Sequence, residues 1–260
     1  MAARVPRLLT LDAVTDISPN VRRLRFTGES LASFPPGFEG GYVKLQFDAD
    51  GNPLRSDDPD VRPAARRSYT VRSVDPAART LVVDAALHTV PGSTLGPATR
   101  WIANAKIGEQ VSIVGPGPVK MLSPDADAVV AIADPTGLPA LAVNLERLPA
   151  HAKGFAIIEV LSDEDRQDLR APDGVDVRWV LNPAPSPEAS PLYDALEAAD
   201  WPQGRVSFWG AGEFHAFRRV RAFLRTRDVA ADDLYVSSYW KVGSSDEQHK
   251  LAKKQDAAAG

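Results

Sequence analysis

The chain has 260 residues, a formal net charge of −4 at pH 7 and 44% hydrophobic residues. That size fits one large domain or two medium ones, and the mild acidity argues against nucleic-acid or anionic-membrane binding. Cysteine is absent, which excludes disulfides, thiolate-bound zinc and ordinary iron–sulfur clusters; electrons moved by this chain must travel on an organic cofactor.

The first half reads as strands. Residues 7–14 and 21–27 flank the turn Ser18-Pro19-Asn20, and residues 42–47 alternate strictly. Strands are also expected over 68–74, 80–87 and 110–114, with 119–122 as one more. A helix over 97–105 interrupts them, with Pro97 suited to its first position. This pattern predicts a closed six-stranded antiparallel β-barrel over residues 1–124. After Ser123-Pro124-Asp125 the period changes. Strands over 129–133, 155–161, 175–181, 206–209 and 234–237 alternate with helices from Thr136, over 191–199 and over 214–227. This predicts an α/β doubly wound parallel sheet over 125–240. From Lys241 the chain turns polar and basic, and Ser245 with Gln248 makes a capping box for a short helix to about Gln255. With almost no apolar face, that helix would be marginal alone, so the basic tail 241–260 reads equally as a frayed, solvated terminus.

No run of 18 apolar residues occurs, and Met1-Ala2-Ala3-Arg4-Val5-Pro6 lacks the apolar core of a signal peptide. A cytoplasmic monomer without membrane or nucleic-acid partners is expected. The four His residues show no metal-ligand spacing, so no protein-bound catalytic metal is expected either.

Chemistry concentrates in a few places. Arg67-Ser68-Tyr69-Thr70-Val71-Arg72 lies in a predicted strand, where alternate side chains share a face. Arg67 and Tyr69 point one way, and Ser68 and Thr70 the other. A guanidinium and a phenol on one face can grip a phosphate and lie beside a flat heterocycle. Downstream, His88 closes a strand, and Gly96, Pro97, Ala98 and Thr99 open a helix whose free N–H groups suit a phosphate. Trp209-Gly210-Ala211-Gly212-Glu213 joins a strand to a helix, as a nucleotide-contacting loop does, without matching GxGxxG.

Taken in order, these pieces resemble the siderophore-interacting proteins, flavin-dependent ferric-siderophore reductases of the ferredoxin–NADP reductase-like superfamily. The resemblance is carried by Arg67 to Arg72, His88 with Gly96-Pro97-Ala98-Thr99-Arg100-Trp101, Ile113-Val114-Gly115-Pro116-Gly117, Ala133-Asp134-Pro135-Thr136-Gly137, Trp209 to Glu213, and Tyr239-Trp240-Lys241-Val242-Gly243. It implies FAD as cofactor, with Arg67 on its phosphate, Tyr69 beside the ring and Thr70 near N5. His88, Thr94 and Gly96 to Thr99 would supply further contacts, together with Ser68. It implies NADH or NADPH docking near Asp134, Thr136, Gly210, Ala211, Gly212 and Glu213, and as substrate a ferric siderophore, a bulky anion attracted by Lys241 first, then Lys44 and Lys120; the altered Asp134 to Gly137 stretch leaves room for reduced ferredoxin as donor instead. Three places depart from the family pattern. An acidic Asp-Glu-Thr-Ala stretch reads Asp134-Pro135-Thr136-Gly137, a Gly-Pro-Arg-Gly reads Gly115-Pro116-Gly117-Pro118, and the Gly before Tyr239-Trp240 is Ser238. Lys120 would substitute for the basic residue missing at 117. Two other readings stand beside this one: a general flavin or quinone reductase of the same fold, and a non-enzymatic binder of ferric chelates. Because Thr70 faces away from Tyr69 in a regular strand, a local twist or bulge is expected at Thr70.

Overall fold

The computed structural model describes residues 5–87 and 96–259 and divides into two compact units, parting between Lys120 and Met121. Strands β1 (Arg7–Ser18), β2 (Val21–Thr27), β3 (Tyr42–Phe47), β4 (Ala65–Asp75), β5 (Thr80–Ala86) and β6 (Gln110–Val114) close a barrel in the order β1-β2-β5-β4-β3-β6. Every neighbouring pair is antiparallel. The inward positions are Leu, Val, Ile and Phe, including Leu9, Phe26, Leu45, Phe47 and Ile113, all fully buried. Helix α1 (Pro97–Asn104) buries Ala98, Trp101 and Ile102 against this core. The Trp101 ring lies 6.4 Å from Phe26 and 6.2 Å from Phe47, and its indole N–H donates to Glu109 at 2.9 Å. Burying Trp is favourable only when that N–H keeps a partner, and Glu109 provides it.

The second unit is a five-stranded parallel sheet in the order β11-β10-β7-β8-β9. Its elements are β7 (Ala128–Ala133), α2 (Leu138–Arg147), β8 (Gly154–Val160), β9 (Val175–Leu181), α3 (Pro191–Glu197), β10 (Val206–Glu213), α4 (Phe214–Leu224), β11 (Leu234–Trp240) and α5 (Asp246–Ala259). β7 and β10 are buried along their whole length, as central strands covered on both faces must be. The sheet runs from β7 through β8 to β9 on one side, then to β10 and β11 on the other. The chain therefore reverses direction between β7 and β10, where parallel sheets open a crevice at their carboxyl ends.

Several expected boundaries move. Residues 119–122 form no strand: Pro116 and Pro118 lack ladder donors, and the Leu122 N–H donates to Asn144 Oδ1 on α2 at 2.7 Å. α2 begins at Leu138 rather than Thr136, because the Asp134 carboxylate takes the N–H groups of Thr136 and Gly137 in a turn ahead of it. α4 stops at Leu224, and α5 extends past Gln255 to Ala259. The tail is not a separate frayed segment. α5 packs on β11 within the second unit, for reasons given below.

Candidate functional sites in the two units

In the barrel, residues directly opposite on paired antiparallel strands share a face. β3 and β4 pair as Tyr42–Thr70, Val43–Tyr69, Lys44–Ser68, Leu45–Arg67 and Phe47–Ala65. Arg67 and Tyr69 thus share the face of buried Leu45 and Val43, while Ser68 and Thr70 share the other with Lys44 and Tyr42. Tyr69 is half-buried against the barrel core. Burial pushes its phenol up from the ordinary value, more than the nearby Arg67 charge pulls it down, so the phenol stays protonated. Arg67 Nη1 donates to the Arg66 carbonyl at 3.0 Å. Trp101 touches Phe47, the residue opposite Ala65, so α1 sits at the Arg67 end of β4. Gly96, which precedes α1, has no side chain to cap it, and Arg100 is tied to the Asp50 carbonyl at 3.2 Å. A phosphate-sized anion suits that helix start. His88 and Thr94 lie outside the described residues.

The strand irregularity falls at Arg72, not at Thr70. The β4–β5 register steps from Val71–Val83 to Ser73–Val82, so Arg72 is the extra residue. Thr70 keeps its regular direction and is buried. The bulge turns Arg72 towards buried Asp84 (3.8 Å), whose carboxylate is held by a two-pronged bond from Arg23 at 2.6 and 2.7 Å. At the missing arginine, a Cβ on Gly117 would stand 2.1 Å from the Tyr42 ring. Tyr42 occupies the space next to position 117, and the Lys44 ammonium lies 5.7 Å from that ring's centre. Lys120 is exposed in this unit.

In the second unit, Asp134, Thr136, Gly210, Ala211, Gly212, Glu213 and Trp240 come together at the carboxyl ends of β7, β10 and β11. Asp134 is buried, and four donors meet its carboxylate: Thr136 N (2.8 Å), Thr136 Oγ1 (2.6 Å) and Gly137 N (3.2 Å) on Oδ1, and Trp240 Nε1 (2.6 Å) on Oδ2. Burial raises its pKa and these hydrogen bonds oppose the rise. Trp240 reaches it because β11 carries a bulge: Ser238 pairs with Gly212, but Trp240 pairs with Glu213. The extra residue, Tyr239, is turned out at 36% exposure. Gly212 is required here, since a Cβ would meet Phe217 at 2.6 Å and the Asp134 carboxyl at 2.8 Å. Glu213 caps α4 with Oε2 on the His215 and Ala216 N–H groups, and its Oε1 accepts from Val242 N at 3.1 Å.

Two residues in this unit were not singled out by the sequence. Glu159, at 5% exposure near the end of β8, is pushed up to about 7 by burial and by the neighbouring Asp134 and Glu213 charges, against bonds from Asn182 and the Leu192 backbone. Its signal was a single carboxylate in the otherwise apolar run of β8. His249 is the other, and is treated below. Among the described residues, no cluster of candidate ligands could hold a metal ion, and no helix is long and apolar enough to cross a membrane.

The two units match two family models, the siderophore-interacting FAD-binding domain over residues 10–120 and the siderophore-interacting protein model over residues 126–243. The chain is 31% identical over 255 residues to the ferric vibriobactin reductase ViuB of Vibrio cholerae, covering 94% of this chain and 92% of that one. The crystal structure of the siderophore-interacting protein SipS from Aeromonas hydrophila superposes with a TM-score of 0.84 at 32% identity, over 97% of this chain and 98% of the other. The ferredoxin–NADP+ reductase of Plasmodium falciparum superposes with a TM-score of 0.66 at 15% identity, over 90% and 96% of the two chains, and shares the fold.

Proposed function

The chain belongs to the siderophore-interacting protein family, with an FAD-binding domain in its barrel, and from that premise we propose that it reduces ferric siderophores with electrons from a nicotinamide nucleotide. The observation that carries the reading is the β3–β4 register, which gathers a cation, a phenol and the start of α1, where Gly96 offers no capping side chain, at one end of a strand pair. Those donors suit a flavin dinucleotide. Arg67 and the α1 start would hold its phosphates and Tyr69 would lie beside its ring, while His88 and Thr94, also proposed as FAD contacts, lie outside the described residues. Ser68 and Thr70 offer hydroxyls from the opposite face of the strand. When bound, FAD supplies the step between a two-electron donor and one-electron acceptors. The protein needs no nucleophile or general acid of its own. Lys44 and Lys120 in the barrel unit, and Lys241 in the second unit, are each cations that can attract an anionic chelate. One hydride carries two electrons, so two Fe(III) become two Fe(II), which oxygen donors hold less strongly.

The nucleotide docks in the crevice above β7 and β10, over Asp134, Thr136 and the Gly210 to Glu213 segment. One observation favours a second reading of the donor. The turn before α2 and the start of α4 both have N–H groups taken by the chain's own carboxylates, Asp134 and Glu213, where a pyrophosphate would seek them. Reduced ferredoxin is the donor that avoids this. Anaerobic spectroscopy of the purified yellow protein separates the readings. NADH or NADPH bleaches it under the first, only reduced ferredoxin does under the second, and a ferric siderophore restores the colour while an Fe(II) chelator reports iron. Protein that binds no flavin overturns the proposal. Equal turnover with quinones and ferric chelates would identify a general reductase instead, and chelate binding without flavin turnover would identify a carrier.

A further inference from the structure

The tail helix α5 has few apolar residues to bury, yet it docks, and the contact is made by polar side chains. His249 is 6% exposed; its Nε2 lies 3.0 Å from Ser238 Oγ on β11, and its ring meets the Phe214 ring edge-on at 6.3 Å. One turn on, Lys253 Nζ donates to Ser237 Oγ (2.8 Å) and to the Ser238 carbonyl (3.1 Å). Further along, Asp256 pairs with Arg218 and Arg221 of α4. Phe214 is shared: the Lys241 ammonium lies 5.0 Å from its ring centre. Ser238 immediately precedes the bulged Tyr239, from which Trp240 and Lys241 follow.

We propose that His249 is a positioning residue for the Tyr239-Trp240-Lys241 segment, holding it through Ser238 and Phe214, and that protonating His249 loosens α5 and displaces Lys241 from its place on the Phe214 ring. The charges around His249 favour its neutral form. From α5 it faces Lys253, Lys250 and Asp246, and from the preceding turn Lys241, so one acid stands against three lysines. From α4 comes Phe214, whose ring also meets that of His215, with Arg221 acting on Lys253, while Glu213 is occupied in capping that helix. β11 contributes the Ser237 and Ser238 hydroxyls and the Ser238 carbonyl on this side, all uncharged. Burial first, and these lysines next, lower the imidazole from its ordinary 6.5. Docked α5 therefore binds the proton less readily than free α5. Docking is complete above 6.5 and weakens as pH falls through 6.5 towards the lowered value.

The proposal rests on Lys241 serving the chelate, so the test has two arms. In the full-length, FAD-loaded protein, hydrogen exchange of α5 amides is followed from pH 7.5 to 5.5, alongside the affinity for a synthetic ferric tris-catecholate. The wild type is compared with His249→Gln, whose amide stays neutral and can still bond Ser238. Chelate protonation is common to both proteins and cancels in the comparison. The expected result is that α5 protection and chelate affinity fall together in the wild type, each by about fivefold more than in the variant. Protection that falls equally in both proteins, or not at all, overturns the proposal. Protection that falls in the wild type while affinity tracks the variant overturns the link to Lys241. Absence of chelate binding at any pH overturns that link along with the siderophore reading itself, and leaves the exchange arm to decide whether His249 governs docking.

Discussion

Glu159 shows how one side chain can carry a pH dependence for the whole fold. Its folded pKa of about 7 lies above the ordinary 4.5, so the folded state binds its proton more tightly. The fold carries no penalty from it below 4.5; the penalty grows between 4.5 and about 7 and is complete above that. Replacing it by Gln keeps the Asn182 partner and removes the charge. Glu159→Gln should therefore raise stability at pH 8, on the order of 2–3 kcal/mol, and leave it unchanged at pH 4. Thermal melts of both proteins across that range check this. Gly212 makes a second residue-scale case. With Phe217 and the Asp134 carboxyl both inside 3.0 Å of any Cβ, Gly212→Ala should destabilise by roughly 1–3 kcal/mol. Denaturant midpoints that match wild type would show that the β10 end relaxes more freely than its packing indicates.

At the scale of elements, the bulge in β11 and the turn after β7 act as one device. The bulge frees Trp240 from the strand's alternation and aims its indole at Asp134, which lies 106 residues earlier in the chain. Asp134 in turn organises the start of α2. Trp240→Phe keeps the ring but removes one of four donors to a buried carboxylate. A loss of about 1.5–3 kcal/mol is expected in chemical denaturation, larger than for a surface Trp such as one without a charged partner. α5 acts as a cover. β11 is an edge strand, and such edges pair with other copies unless protected. Truncation after Ser244 should produce concentration-dependent association visible by light scattering. A truncated protein that stays monomeric at all concentrations would show that the covered edge is not adhesive.

On the scale of the whole molecule, a chain of net charge −4 is expected to attract an anionic iron chelate, so the attraction has to be local. Lys241 sits on the Phe214 ring beside α5, and Lys44 on the Tyr42 ring in the barrel unit. Lys241→Glu should raise KM for a ferric siderophore about tenfold at low ionic strength, with the difference shrinking towards unity near 0.5 M salt. Loss that is insensitive to salt would mean the residue acts by packing. Arg67→Ala should lower FAD retention through gel filtration, read from the ratio of flavin to protein absorbance, while the far-UV spectrum of the barrel stays unchanged.

The two-unit architecture was legible in the sequence because it follows from local periodicity. Alternation with a period of two marks a barrel, and apolar runs alternating with 3.6-residue stripes mark a parallel sheet. The sharing of faces by Arg67 with Tyr69 and by Ser68 with Thr70 followed from the same rule, and the β3–β4 register bears it out. Alternation could not place the bulges at Arg72 and Tyr239, because a bulge is decided by which strand lies alongside and where their registers disagree. Nor could it reveal that Asp134 and Glu213 bind the chain's own N–H groups, or that a polar tail would dock through His249. Those contacts join residues brought together by the strand order β11-β10-β7 and by the docking of α5 on β11. The sequence by itself thus determined the fold class and the residues of the barrel face. The tertiary structure decided which carboxylates are already spent, and where Trp240 and Lys241 stand.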